Sequence, residues 1–239
     1  LGRTKDASEI HQIAQLIRDF DIIAIQEVVA VDPAGAKAVA RLADELNRMG
    51  ARWDYRISDP TNSLSGKKER YAFLWKSKNI KLKGRPWLDK TFDDIIIREP
   101  YLARFQIEGE EILIVNYHSR VHKENPEKEI VCFYKYPEMF PDEKIIIAGD
   151  FNKSVSDDVF LPLRALGFQP NLENQKTTLK RKCGKKDAYL NHPIDYILVD
   201  TAEMKIEKVG IVDFVKDCKK LKEARKLSDH LPVWVEISF

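Results

Sequence analysis

KIIIAGDFN, residues 144–152, is a compact apolar run that stops abruptly on an acid and an amide, Asp150 and Asn152. A run with no polar alternation predicts a strand covered on both faces. FDIIAIQEVV (20–29) has the same character and closes on Gln26-Glu27. Working outward, strand-like segments recur at 71–76, 79–84, 101–109, 111–119, 194–200 and 231–239, and the pair around Gly109 reads as a hairpin. Helical spacing appears at 8–19, where Ile10, Ile13, Ala14, Leu16 and Ile17 share a face behind a candidate N-cap at Ser8. A second helix follows Asp32-Pro33 with a stripe of Val39, Leu42, Ala43 and Leu46. Residues 124–140 are expected to be helical in part, and 156–167 to hold a short helix ending at Gly167. There is no linker, repeat or low-complexity tract, so 1–239 reads as one domain. The strands outnumber what one open sheet comfortably carries, which favours two stacked sheets with helices outside.

The 239 residues carry 40 Lys and Arg against 38 Asp and Glu, a net charge of +2. A strongly basic overall field is thereby excluded as the basis of polyanion binding, while local patches stay open. No stretch is long and apolar enough to cross a bilayer. Cys132, Cys183 and Cys218 show neither CxxC nor zinc spacing; three ordinary thiols are the favoured reading, with one bridge as the alternative.

Ionisable residues interrupt the apolar strands at their ends: Glu27, then Asn116 and His118, then Asp150 and Asn152, then Asp195, then Asp229 and His230. A carboxylate at the end of a buried strand is costly unless it is paired or binds a cation. Five such ends suggest one convergent site, and metal-assisted hydrolysis of a phosphodiester fits its chemistry. A hard cation offsets charge, a base activates water, and an acid helps the leaving oxygen. Oxygen ligands from Glu27 and Asp229 suit Mg2+, with Mn2+ or Ca2+ as alternatives. Two histidines and the further acids Glu69 and Asp195 permit two His–acid pairs. Asp150 and Asn152 are placed to orient water and hydrogen-bond phosphoryl oxygens. His11, His122 and His192 lack such context and read as surface residues, and the four tryptophans as core.

IQEV (25–28), NYHS (116–119), AGDFN (148–152), PIDYI (193–197) and SDHLPV (228–233), in that order, resemble the signatures of the endonuclease/exonuclease/phosphatase superfamily. The stretch 53–76 with Lys68-Glu69-Arg70-Tyr71, and REP at 98–100, look most like its deoxyribonuclease I group. The resemblance implies a four-layer α/β/β/α sandwich of two mixed, mainly antiparallel sheets. It implies His118 paired with Glu69 and His230 paired with Asp195. The first pair would assist a leaving 3′ oxygen and the second would activate water. It also implies Glu27 as principal metal ligand with Asp229 near it, and Arg98 holding a phosphate; Asn116 is grouped with Arg98 as substrate-binding. That group's first strand carries an Asn near the metal, expected here to lie upstream of Leu1. Its groove-reading Arg and Tyr are replaced by the Val29-Ala30-Val31 segment and by Lys67, which puts that mode of duplex reading in doubt.

Two basic runs, 176–187 and 216–226, flank the motifs of Asp195 and Asp229. They are solvated faces by default, or contacts to flanking phosphates through residues such as Lys219 and Lys220. The expected activity is endonucleolytic cleavage of DNA by a monomer. A phosphatase or diesterase on small or lipid phosphates is the alternative, and a non-catalytic binding protein the third. The resemblance leans towards a secreted or periplasmic location.

Overall fold

The computed structural model describes residues 1, 6–30, 33–62 and 68–239. Asp32, Val31, Lys67 and the middle of the polar loop 58–69 lie outside the described residues.

Eleven strands are described: β1 Ile22–Val29, β2 Trp53–Ile57, β3 Glu69–Lys76, β4 Ile80–Leu88, β5 Tyr101–Ile107, β6 Glu110–His118, β7 Lys144–Asp150, β8 Phe168–Pro170, β9 Asp195–Asp200, β10 Lys205–Ile211 and β11 Val233–Ser238. The helices are α1 Ala7–Ile17, α2 Ala34–Arg48, α3 Glu127–Ile130, α4 Tyr136–Met139, α5 Leu161–Ala165 and α6 Leu221–Leu227. One sheet has the order β4-β5-β6-β7-β9-β8, with only β6 and β7 parallel. Facing it are an antiparallel β1-β3-β2 sheet and an antiparallel β10-β11 pair.

Three apolar clusters stack the layers. Between the sheets lie Tyr71, Phe73, Trp75, Tyr101, Phe105 and Ile146, with Ile22, Val235 and Ile237 packed against them. On the outer face of β1, β2 and β3, Ile10, Ala14 and Ile17 of α1 meet Val39, Leu42 and Leu46 of α2. On the outer face of the six-stranded sheet, Phe133, Tyr136, Phe151 and Phe160 pack on Tyr117, Ile147 and Tyr196. The arrangement is the four-layer α/β/β/α sandwich.

Several local readings shift. The cap of α1 is Asp6, not Ser8: its carboxylate accepts the Glu9 N–H (2.8 Å) while Glu9 Oε2 accepts the Asp6 N–H (3.2 Å), a reciprocal capping box. Residues 124–140 are helical in part, as expected, with α3, a 3₁₀ turn and α4 in succession. The sequence pattern passed over β2, β8 and β10. β10 exposes Lys205, Glu207 and Lys208, with a break in register between Ile206 and Lys208, and charged side chains and bulges of this kind are usual on edge strands.

Gly149 shows how closely the strands near the site are packed. A Cβ there would lie 1.8 Å from the Tyr117 carbonyl oxygen of the neighbouring β6. Gly149→Ala is therefore expected to destabilise the fold by about 3 kcal/mol or more, measured by urea unfolding. A loss within experimental error would mean that β6 and β7 can part without cost.

Candidate active site

The strand ends at Glu27, His118, Asp150 and Asp195, with His230 ahead of the last strand, meet at one edge of the sandwich. β6 ends on His118, whose Nδ1 lies 2.8 Å from Glu69 Oε1 at the start of β3. Its other nitrogen, Nε2, faces Glu27 Oε1 at 3.8 Å and Asp150 Oδ2 at 3.7 Å. The same Asp150 oxygen is 4.0 Å from Nδ1 of His230. His230 Nδ1 in turn lies 2.9 and 3.0 Å from the two oxygens of Asp195. Glu27, His118, Asp150 and His230 thus form one continuous chain of near contacts, with Glu69 and Asp195 behind the rings.

The backbone is shaped for this. β1 breaks register between Ile25 and Val28, and Glu27 within that bulge has φ 54°. A left-handed conformation costs a non-glycine residue roughly 1 kcal/mol or more, and bulges are a usual means of re-aiming a side chain beside a site. The Glu27 side chain is 67% exposed, so its carboxylate stands open at the rim. Asn152 is also left-handed (φ 49°), and its N–H donates to Asp150 Oδ1 (2.8 Å).

Burial and charge set the protonation states. Burial works against a charged His118, but the Glu69 hydrogen bond and charge, with Asp150, outweigh it and raise its pKa. Burial likewise opposes a charged His230, and Asp195, Asp150 and Asp229 overcome it, lifting the ring to about 10. Asp150 moves up to about 7, first by burial and then by the charge of Asp195. All of these groups bind protons more tightly folded than unfolded. Stability therefore falls as pH rises from 3.8 through about 7 for Asp150, and from 6.5 through about 10 for His230. A divalent cation placed among the unprotonated carboxylates would offset this. The rise in melting temperature given by Mg2+ should be larger at alkaline than at mildly acidic pH; a shift independent of pH would contradict it.

Other expected residues fall in different places. Arg98 Nη1 donates to the carbonyls of Ser119 (2.5 Å) and His118 (3.3 Å), and Nε sits 3.6 Å from Glu69 Oε2. It braces the His118–Glu69 pair from behind. Asn116 is wholly buried; its amide donates to Ile25 and Ala72 carbonyls (both 3.2 Å) and accepts from Gln26 (2.6 Å). The expected substrate contact is replaced by a tie between β1, β3 and β6, because no surface of Asn116 is left for a phosphate. The Asp229 carboxylate is 3.5 Å from Arg225 Nη2 and 59% exposed. Among the described residues, the groups able to surround a metal are Glu27 with Glu69 and His118, and Asp150 with Asp195 and His230. Asp229 belongs to neither. The hard oxygens of Glu27 and Glu69 fit a cation of the Mg2+ type.

Thr177 joins the site although no motif in the sequence marks its role, and Tyr71, which closes the Lys68-Glu69-Arg70-Tyr71 string, takes part as well. The Thr177 hydroxyl, fully buried, donates to Asp195 Oδ2 (2.5 Å). The Tyr71 hydroxyl accepts the His118 N–H (3.2 Å).

The two basic runs meet beside this edge. Cys183 and Cys218 form a disulfide, so the favoured reading of three free thiols is corrected; Cys132 alone is free, and buried. Residues 35 apart are brought together because Leu179, Val215, Leu221, Ala224 and Leu231 form a small core of their own. Lys219 and Lys220 are exposed on this lobe. The lobe is tied to the site: Leu179 N–H donates to the Asp229 carbonyl (2.8 Å), and Thr178 bridges to His230.

Two sheets that converge paired imidazoles and carboxylates on one edge define a hydrolase. The chain belongs to the Endonuclease/Exonuclease/phosphatase family, whose model matches residues 2–230. It is 26% identical to the deoxyribonuclease-1-like 1 protein of Sus scrofa over 95% of this chain and 73% of that protein. Among solved structures it resembles an endonuclease/exonuclease/phosphatase family protein of Bacteroides thetaiotaomicron (TM-score 0.70, 19% identity, 97% and 89% of the two chains). A mannosyl-6-phosphatase of the same bacterium also shares the fold (TM-score 0.67, 18% identity, 97% and 91%).

Proposed function

We propose that this protein is a divalent-metal-dependent phosphodiesterase that cuts nucleic acid, DNA foremost, by adding water at phosphorus and expelling the 3′ oxygen. The observation that carries the reading is the pair of imidazoles, each held through Nδ1 by a carboxylate and set on either side of Asp150. A carboxylate on Nδ1 fixes the ring and leaves Nε2 for proton transfer. His118 with Glu69 is assigned to the leaving oxygen, and His230 with Asp195 to the water. Asp150 and Asn152 orient the attacked phosphoryl group. Glu27 would hold the metal, with Asp229 at the margin; Mg2+ is the expected ion, and Mn2+ or Ca2+ could take its place. The bound cation supplies charge neutralisation at the phosphoryl oxygens.

Charge distribution favours a polymeric substrate. The runs 176–187 and 216–226 hold twelve of the 40 basic residues and three of the 38 acidic ones. The remainder of the chain is therefore net acidic, and the stapled lobe beside His230 is the cationic face. Replacing Lys219, Lys220 and Lys222 by alanine should weaken substrate binding and reduce the slope of log affinity against log salt by roughly one unit for each phosphate no longer neutralised. An unchanged slope would return the lobe to a solvated surface. A disulfide between these runs fits an oxidising compartment, which supports a secreted or periplasmic location. Among the described residues no helix is long and apolar enough to cross a membrane.

The deciding assay incubates the protein with supercoiled plasmid, and separately with a phosphomonoester and with sphingomyelin, each in Mg2+ or in EDTA. Nicking that disappears in EDTA is expected. Turnover of the small or lipid esters alone would replace the nuclease by the phosphatase alternative, which the shared fold with a sugar phosphatase keeps open.

A further inference from the structure

A second recess lies outside the catalytic cluster. It is a groove of about 790 Å³ between the end of β2 and the middle of β4, lined among others by Arg56, Pro60, Arg85, Trp87, Lys90 and Tyr101. Its construction is specific. β4 loses register with β5 between Lys83 and Trp87, and Gly84 adopts φ 69°. The resulting bulge places the exposed Arg85 in the lining of the groove. Trp87 is held in the wall by the Arg104 guanidinium, 4.8 Å from its ring centre. The buried Tyr101 phenol is pushed up to about 12 by burial, against the charges of Arg56 and Arg85.

The groove adjoins the catalytic edge. Both the N–H and the hydroxyl of Thr61 donate to the Glu69 carbonyl (2.9 and 3.2 Å), so the loop forming one wall is bonded to a catalytic residue's backbone. Tyr101 pairs in register with Asn116, two residues before His118. Arg56 is shared with Asp54 (3.4 Å), but among the described residues no ion pair joins Arg85 or Lys90 to any carboxylate. The two acids in the lining do not neutralise them. Glu99 is buried and accepts the Asn62 N–H on Oε2 (2.8 Å), and Asp59 makes no ion pair with either cation.

We propose that this groove seats a flanking phosphate of the nucleic-acid strand, beyond the scissile phosphate on the Glu69 side, through Arg85 and Lys90. The assignment rests on the nucleic-acid reading above. Two cations that make no ion pair among the described residues, Arg85 on the bulge and Lys90 just beyond the end of β4, line a groove whose loop wall is bonded to Glu69, and they match an anionic unit of a phosphodiester chain flanking the one being cut. The contact is sequence-independent, because phosphate contacts position the strand without reading bases.

The test compares the wild type with an Arg85→Ala/Lys90→Ala double variant on two substrates in Mg2+, a single-stranded oligonucleotide and bis-para-nitrophenyl phosphate, a diester with no flanking phosphate. Both replaced side chains are exposed, and melting curves check that the fold is kept. The ratio of kcat/KM for the oligonucleotide to that for the small diester should fall about five- to tenfold at low salt, and the salt slope of oligonucleotide binding should drop by about one to two. Arg85→Lys with Lys90 intact should retain most of that slope. An unchanged ratio and slope in a double variant whose wild type cuts the oligonucleotide would overturn the groove assignment alone. A wild type that hydrolyses the small diester but neither binds nor cuts the oligonucleotide would overturn the nucleic-acid reading itself, and the groove assignment with it.

Discussion

Replacing His118 or His230 by alanine is expected to lower turnover by on the order of 10²-fold or more, the usual scale for a group that moves a proton in the transition state. The two losses should have different companions. His118 is 5% exposed and sits against Glu69, Glu27 and Asp150. Removing its ring leaves three acids facing one another, so stability should fall together with rate, most steeply at alkaline pH. The His230 side chain is 33% exposed, and its deletion opens a space that solvent reaches. Imidazole added to the His230→Ala variant should therefore restore part of the rate, while the His118→Ala variant should respond less. Either variant retaining near-full turnover in Mg2+ would remove that histidine from the reaction.

Glu27 offers the second large effect, and its sign on stability is opposite to that of an ordinary buried acid. Its carboxylate is open to solvent, and its backbone sits at φ 54° within a bulge. Strain of this kind is retained at functional sites although the fold gains nothing from it. Glu27→Gly should lower Mg2+-dependent turnover by on the order of 10²-fold or more, the loss expected when a metal's principal carboxylate is removed. The same change should leave unfolding free energy unchanged or raise it by up to about 1 kcal/mol, because glycine tolerates the left-handed backbone and its extra chain entropy offsets part of the gain. Glu27→Gln should lose activity without the relief. A clear loss of stability in Glu27→Gly, measured by urea unfolding without metal, would show that the carboxylate serves the fold and not a cation.

Much of this site was legible because its residues interrupt strong patterns. His118, Asp150, Asp195 and His230 close or precede apolar runs, and a polar group where a strand meets the edge of the core is visible in one dimension. The alternation of long strands and two amphipathic helices likewise announced a sandwich. What escaped is what depends on register and on contacts between distant loops. Thr177 lies in a basic run whose spacing says nothing of a hydroxyl bonded to Asp195. Asn116 looked like its neighbour His118, yet the fold turned its amide inward to tie three strands together. The Cys183–Cys218 bridge joins loops 35 residues apart through a small core visible only once β9, β10 and β11 are in place. β10 was hidden by its charges, which belong to a strand with one wet face.

The most direct measurement is a crystal structure of the protein with Mn2+, which reports itself by anomalous scattering, and a non-hydrolysable oligonucleotide. The account predicts the ion on the Glu27 carboxylate and one phosphate between the Nε2 atoms of His118 and His230, beside Asp150 and Asn152. A phosphate bound away from the two rings, or an ion held without Glu27, would contradict it.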